Sequence, residues 1–200
     1  MKKHFSIYLT PDGRGVRKIM PILEHISKKY KTYAAIKDSK GPHASFTYMD
    51  EDVKEDEIWQ IVGMVQQKLN RIKPFKVTID GIRTFRKPYV IKTRWGRKTK
   101  VNWVVYLRVV RSKELTRIYK LINAELKGYK HGTLPRFTPH ITIARKDIDK
   151  EEFFDIVNEY KGLKFHHEFI LRHIMIKLRN PNDKNPQFSK IILGKPNGSG

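Results

Sequence analysis

Two hundred residues are enough for one domain with a core of its own, and 39% hydrophobic with 11% aromatic residues exclude a disordered chain even though 31% are charged. Forty-two Lys and Arg against twenty Asp and Glu leave a formal charge of +22, more than solubility asks of a small domain, which points to a polyanionic partner. The absence of cysteine excludes disulfides, thiolate nucleophiles, Cys-ligated zinc and iron–sulfur clusters, so the chemistry must use oxygen and nitrogen groups.

Residues 4–10 alternate Phe5, Ile7 and Leu9 with His4, Ser6 and Tyr8, the period of a strand with one buried face. Pro11-Asp12-Gly13 ends it. Val16, Ile19, Met20, Leu23 and Ile26 recur at helical spacing and predict a crossover helix up to Tyr30. Gly41-Pro42 breaks the chain before a strand over 43–49. The acidic run 50–57 leads into a second helix through Ile58, Ile61, Val62, Val65 and Leu69, with negative charge where the helix dipole favours it. Residues 75–85 and 89–95 are β-rich, 96–100 reads as a basic turn, and 101–110 as a strand. Ser112 can cap a helix whose apolar face is Leu115, Ile118, Tyr119, Ile122 and Leu126. A second Pro-rich break precedes a strand over 140–145. An acidic helix over 149–160, a β-rich stretch over 163–178, a turn at 180–183 and a strand at 188–193 complete the order.

The basic start is followed by an apolar stretch too short and polar for a signal peptide, and no stretch approaches a membrane span, so a cytoplasmic location without membrane contact is expected. Residues 195–200 read as a tail, with Gly198-Ser199-Gly200 composed like an added linker.

The two halves run in the same order: strand, helix, a Pro-His-x-Ser/Thr strand, an acidic-start helix, then β-rich segments. Tyr8 and Tyr106 precede His43 and His140 by nearly the same distance. An internal repeat of this length predicts two alike lobes. The expected fold class is therefore α+β, a single bilobal domain over 1–194 with repeats at about 1–95 and 101–194. Each lobe is an antiparallel sheet with outer helices, and a cleft lies between them.

In a strand, residues two apart share a face, so His43 lies beside Ser45 and His140 beside Thr142. Two such pairs across a groove supply two proton-transfer groups near neutral pH and two neutral donors for phosphate oxygens. That set suits cleavage of a phosphodiester by acid/base catalysis, one neutral imidazole taking a proton and the other, protonated, giving one to the leaving oxygen. Ser45 and Thr142 are the expected phosphate-binding residues. Which histidine is acid and which base is open. The remaining histidines show no spacing such as His-Glu-x-x-His, and no Gly-rich phosphate loop appears, so neither a metal nor another cofactor is expected.

Pro42-His43-Ala44-Ser45-Phe46 and Phe137-Thr138-Pro139-His140-Ile141-Thr142-Ile143-Ala144-Arg145 resemble the paired motifs of the 2H phosphoesterase superfamily. The order of elements is similar to its 2′-5′ RNA ligase-like branch over essentially the whole chain. The resemblance implies two pseudo-symmetric lobes around a cleft. It also implies cyclic phosphodiesterase action on RNA ends or small nucleotides, in some members with reversible 2′-5′ ligation, and assigns catalytic roles to His43 and His140 and phosphate binding to Ser45 and Thr142. Two departures stand out: Ser45 occupies the usual Thr position, and Thr47-Tyr48-Met49-Asp50 replaces an apolar ending with Gly.

Further substrate-binding candidates are Tyr8 and Tyr106, either of which could stack a base, and Arg145, whose strand parity puts it opposite His140 unless a bulge intervenes. Arg86, Lys87 and Tyr89, in a stretch that mixes basic and aromatic residues, suit a hairpin that tracks a nucleic-acid backbone; Arg136 extends the same basic surface. The expected partner is an RNA or oligonucleotide substrate, with no protein partner. A non-catalytic RNA-binding module using the same basic cleft is the alternative.

Overall fold

The computed structural model describes residues 3–33, 35–37, 40–51, 54–93, 96–129, 131–132, 137–145, 147–179 and 186–194. Along the chain run β1 (Lys3–Leu9), α1 (Gly13–Tyr30), β2 (Ala44–Glu51), α2 (Glu55–Leu69), β3 (Phe75–Thr93), β4 (Gly96–Val109) and α3 (Lys113–Glu125). After them come β5 (His131–Gly132), β6 (His140–Arg145), α4 (Lys150–Tyr160), β7 (His166–Leu171), β8 (His173–Arg179) and β9 (Gln187–Ile192).

Local chemistry sets the helix starts. Asp12 accepts the Gly15 amide at 2.8 Å ahead of α1, and Ser112 accepts the Leu115 amide at 3.1 Å ahead of α3. Asp149 and Glu152 form a reciprocal capping box at α4. Each cap satisfies backbone donors that a helix leaves without internal partners.

The strands form two antiparallel sheets, as the α+β reading expects, in the orders β5-β2-β1-β8-β9 and β6-β4-β3-β7. Each draws strands from both halves of the sequence. The β-rich stretch near residue 170 is two strands separated by Arg172 alone, β7 pairing with β3 in one sheet and β8 with β1 in the other. Phe5, Ile7 and Leu9 of β1 and Ile174, Ile176 and Leu178 of β8 face the buried core, and the alternate residues face the cleft side. Two helices cross between sheets, α1 packing on β6 and β7 and α3 on β2 and on α2, while α4 packs on β4 within the sheet of its flanking strands.

Two expectations change. The two β-rich segments expected from 75 and from 89 are one strand through Pro88 up to Thr93, and 96–100 is strand rather than a turn, since Thr93 pairs with Gly96 and the register runs unbroken to Ile82. Pro88 is tolerated because β7 pairs only with 75–80, so this part of β3 is an edge needing no amide on its open side. The result is a two-stranded ribbon extending beyond the four-stranded sheet.

Side-chain latches join the halves. Glu159 of α4 accepts from Lys29 at 2.7 Å and from the Tyr30 hydroxyl at 2.6 Å, both at the end of α1. Asp147 accepts from the Thr32 hydroxyl and from the Tyr33 amide. Among the described residues no helix is long and apolar enough to cross a membrane.

Candidate active site

His43 leads into β2 and His140 opens β6, one in each sheet. In both, Nδ1 lies 2.8 Å from the carbonyl oxygen two residues upstream, that of Gly41 for His43 and of Thr138 for His140. A carbonyl only accepts, so each Nδ1 carries hydrogen and each Nε2 is the atom left for proton transfer. Behind each ring stands a tyrosine from the neighbouring strand. Tyr8 meets His43 edge-on at 5.3 Å between centroids, and Tyr106 meets His140 at 5.1 Å, with Phe85 on another side at 5.3 Å.

Both histidines, with Ser45 and Thr142, line one cavity of about 240 Å³. The paired motifs thus reach a common space from strands in different sheets. Burial pushes the His140 imidazole below its ordinary value; the hydrogen bond to the Thr138 carbonyl opposes this, and the Arg145 charge adds to it.

A bulge follows each motif. In β2, Ser45 pairs with Tyr8 and Thr47 with Ile7, leaving Phe46 extra. In β6, Thr142 pairs with Tyr106 and Ala144 with Val105, leaving Ile143 extra. The extra residue reverses the alternation: Phe46 and Thr47 are both buried, as are Ile143 and Ala144. The next side chains, Tyr48 and Arg145, therefore return to the face of the histidines, and both line the cavity. This answers the parity question over Arg145: the bulge brings it round.

Other candidates fall elsewhere. Tyr8 and Tyr106 are 1% and 8% exposed, so neither offers a ring face to a base; their rings support the imidazoles instead. Arg86 is exposed but sits across from Trp103, which packs on Phe153 and Phe154 of α4. The alternate positions Phe85, Asn102 and Val104 line the cavity, so strand parity turns Arg86 away from it. The side chains of Lys87 and Tyr89, and all of Arg136, lie outside the described residues.

Sequence reasoning missed several wall residues. Tyr48 stood out only as a departure from a motif, and its place on the cavity depends on the bulge. The Thr47 hydroxyl, buried in the wall, has no hydrogen-bond partner among the described residues. Phe137 stacks between Phe46 and Tyr119, at 5.9 and 4.3 Å, and makes the apolar floor. Arg108, the cross-strand partner of His140, donates to the backbone carbonyl of Asp80 at 3.2 Å and to its carboxylate. The Arg108 guanidinium holds the Asp80 carboxyl below its usual range.

Residues 21–179 match the 2′-5′ RNA ligase superfamily. The chain belongs to that superfamily. This member, a 2H phosphoesterase, shares its fold with TT0787 of Thermus thermophilus, at 15% identity and a TM-score of 0.60 over 97% of this chain and 98% of that one. It is also similar to E. coli LigT, solved in complex with 3′-AMP, at 14% identity and a TM-score of 0.55 over 97% and 98%. The MHV ns2 PDE domain follows at 17% identity and a TM-score of 0.51 over 96% and 100%. At these identities the likeness is one of fold. No curated protein matches the superfamily member in sequence.

Proposed function

We propose that this protein cleaves 2′,3′-cyclic phosphates or 2′-5′-linked phosphodiesters at RNA ends or in short oligonucleotides, by acid/base catalysis from His43 and His140 without a metal ion. One observation carries the reading: two imidazoles with Nδ1 tied to backbone carbonyls share a single cavity with the hydroxyls of Ser45 and Thr142.

Burial and Arg145 favour the neutral form of His140, which suits it as the base; His43 is then the acid. For a terminal 2′,3′-cyclic phosphate, His140 Nε2 takes a proton from water as its oxygen bonds to phosphorus. The bond from phosphorus to one ribose oxygen breaks, and that oxygen takes the proton of His43. Ser45 and Thr142 donate to the non-bridging oxygens, and Arg145 adds positive charge as negative charge gathers on them. In the ligase direction, a 5′-hydroxyl replaces water, the bond to O3′ breaks, and a 2′-5′ linkage results.

The test is product formation from an RNA ending in 2′,3′-cyclic phosphate, with EDTA present, by the wild type and by His43→Ala and His140→Ala. Each variant should lose roughly 10²–10⁴-fold in kcat. Activity that disappears with the chelator counts against the metal-free mechanism. Equal RNA binding by all three with no product from any would point to a binding module.

A further inference from the structure

The cleft-side face of the five-stranded sheet continues away from the cavity. In one row across it the register sets Tyr48 beside Ser6, Ser6 beside Lys177 and Lys177 beside Phe188. In the next row Ser45 lies beside Tyr8, Tyr8 beside Met175 and Met175 beside Lys190. Cross-strand partners point to the same face, so a surface with an aromatic ring at each end begins at the catalytic motif and runs to the sheet edge.

Its chemistry is that of a nucleic-acid platform. Tyr48 is 56% and Phe188 46% exposed, two large rings left open in one row. Lys177 Nζ sits 6.0 Å from the Phe188 ring centroid, and Lys190 is exposed nearby. Ser6, small and nearly buried, forms a low floor between them. Rings that accept stacked bases, flanked by cations that meet phosphates, are what sequence-tolerant single-strand binding uses. From Tyr48 to Phe188 is three inter-strand spacings, about 14 Å at about 4.8 Å each. At the ~3.4 Å rise of a stacked strand this is about four base steps, and fewer if the strand is extended.

We propose that this row is a binding track for the nucleotides 5′ of the reactive phosphate, so that the substrate is a single-stranded oligonucleotide of three or more residues and Phe188 is its distal base-stacking subsite. The proposal rests on the catalytic reading only in taking the reactive phosphate to sit between His43 and His140.

Titration calorimetry with single-stranded RNAs of one, two, three, four and six nucleotides ending in 3′-phosphate tests the track without turnover. Wild-type affinity should rise with length up to about four nucleotides. Phe188→Ala should leave the one-nucleotide ligand within twofold of wild type and lose roughly tenfold on the longer ones, while Phe188→Tyr restores them. Lys177→Gln should weaken the long ligands and lower the slope of log affinity against log salt by about 0.7. Arg117→Gln removes one charge from the exposed face of α3 and should leave the length dependence intact. Wild-type affinity independent of length, or Phe188→Ala binding every length as wild type does, overturns the track. Kinetics separate the two proposals. Length-dependent binding lost in Phe188→Ala, with no product from the wild type, retains the track and removes the reaction. Turnover of a cyclic-phosphate hexamer that Phe188→Ala does not impair retains the reaction and removes the track.

Discussion

Replacing Asp147 with alanine should loosen both the fold and the alignment of the two histidines. Asp147 lies two positions beyond Arg145, and its carboxylate accepts from the Thr32 hydroxyl and, at 2.6 Å, from the Tyr33 amide, at the start of the segment that leads to His43. Thr32 is 4% exposed, so water cannot replace its lost acceptor, and an orphaned buried hydroxyl costs about 1–3 kcal/mol. The exposed Tyr33 amide regains water and adds about 1 kcal/mol or less. A total near 2–3 kcal/mol, with a urea slope of about 2.5 kcal/mol per M, lowers the unfolding midpoint by about 1 M at unchanged slope. Because the latch joins the approach to His43 with the strand of His140, kcat should also fall, by about tenfold or more, since ångström-scale misplacement of catalytic groups costs up to about 10²-fold. Asp147→Asn keeps one acceptor oxygen and should recover part of both losses. An Asp147→Ala protein with the wild-type urea midpoint and wild-type kcat would refute the reasoning.

The same geometry makes two further predictions. The acid limb of kcat/KM for hydrolysis should lie below pH 6.5, because burial and then Arg145 depress His140. Arg145→Gln removes only the second cause, so the limb should move up while staying below 6.5, whatever happens to the maximal rate; a limb that stays put or moves down rejects His140 as the base. Glu159 is held at about 2, first by its hydrogen bond from Lys29 and then by that from Tyr30. A carboxylate depressed on folding contributes stability above its unfolded value near 4.5 and loses it as pH falls toward 2. Glu159→Gln should therefore cost about 1 kcal/mol at pH 7, limited by its partial exposure, and nothing measurable near pH 2, which urea unfolding at the two pH values checks.

Spacing in the sequence carried the chemistry because a period of two is a local property: His43 with Ser45, and His140 with Thr142, need only be in strands to share a face. The cap at Ser112 was legible for the same reason. The bulges were not, since an extra residue at Phe46 or Ile143 exists only relative to a partner strand chosen by the fold. The place of Tyr48 went unread with them, and that of Arg145 stayed conditional on a bulge. Parity put Tyr8 on the polar face and the repeat put Tyr106 at the matching place, but what covers a face is set by tertiary packing, so rings expected to meet a base back the imidazoles instead. Pro88 and Arg172 show the limit at both extremes: proline passed through a strand because that stretch is an edge, and one arginine separates strands that belong to different sheets.

The departure at residues 47–50 acquires a physical meaning from the bulges. Tyr48 and Arg145 occupy equivalent positions, each five residues beyond its histidine and each returned to the cavity by an extra residue. A repeat that kept the same group at both places would set two alike imidazoles in two alike fields and give neither a preference for acid or base. At this pair of positions the cation stands on the His140 side, where it disfavours protonation, and the aromatic ring on the His43 side, where the row toward Lys177 and Phe188 begins. In the proposed reaction this difference adds to the burial of His140 and suggests a division of labour, with the sheet of His140 meeting charge at the phosphate and the sheet of His43 holding the rest of the strand.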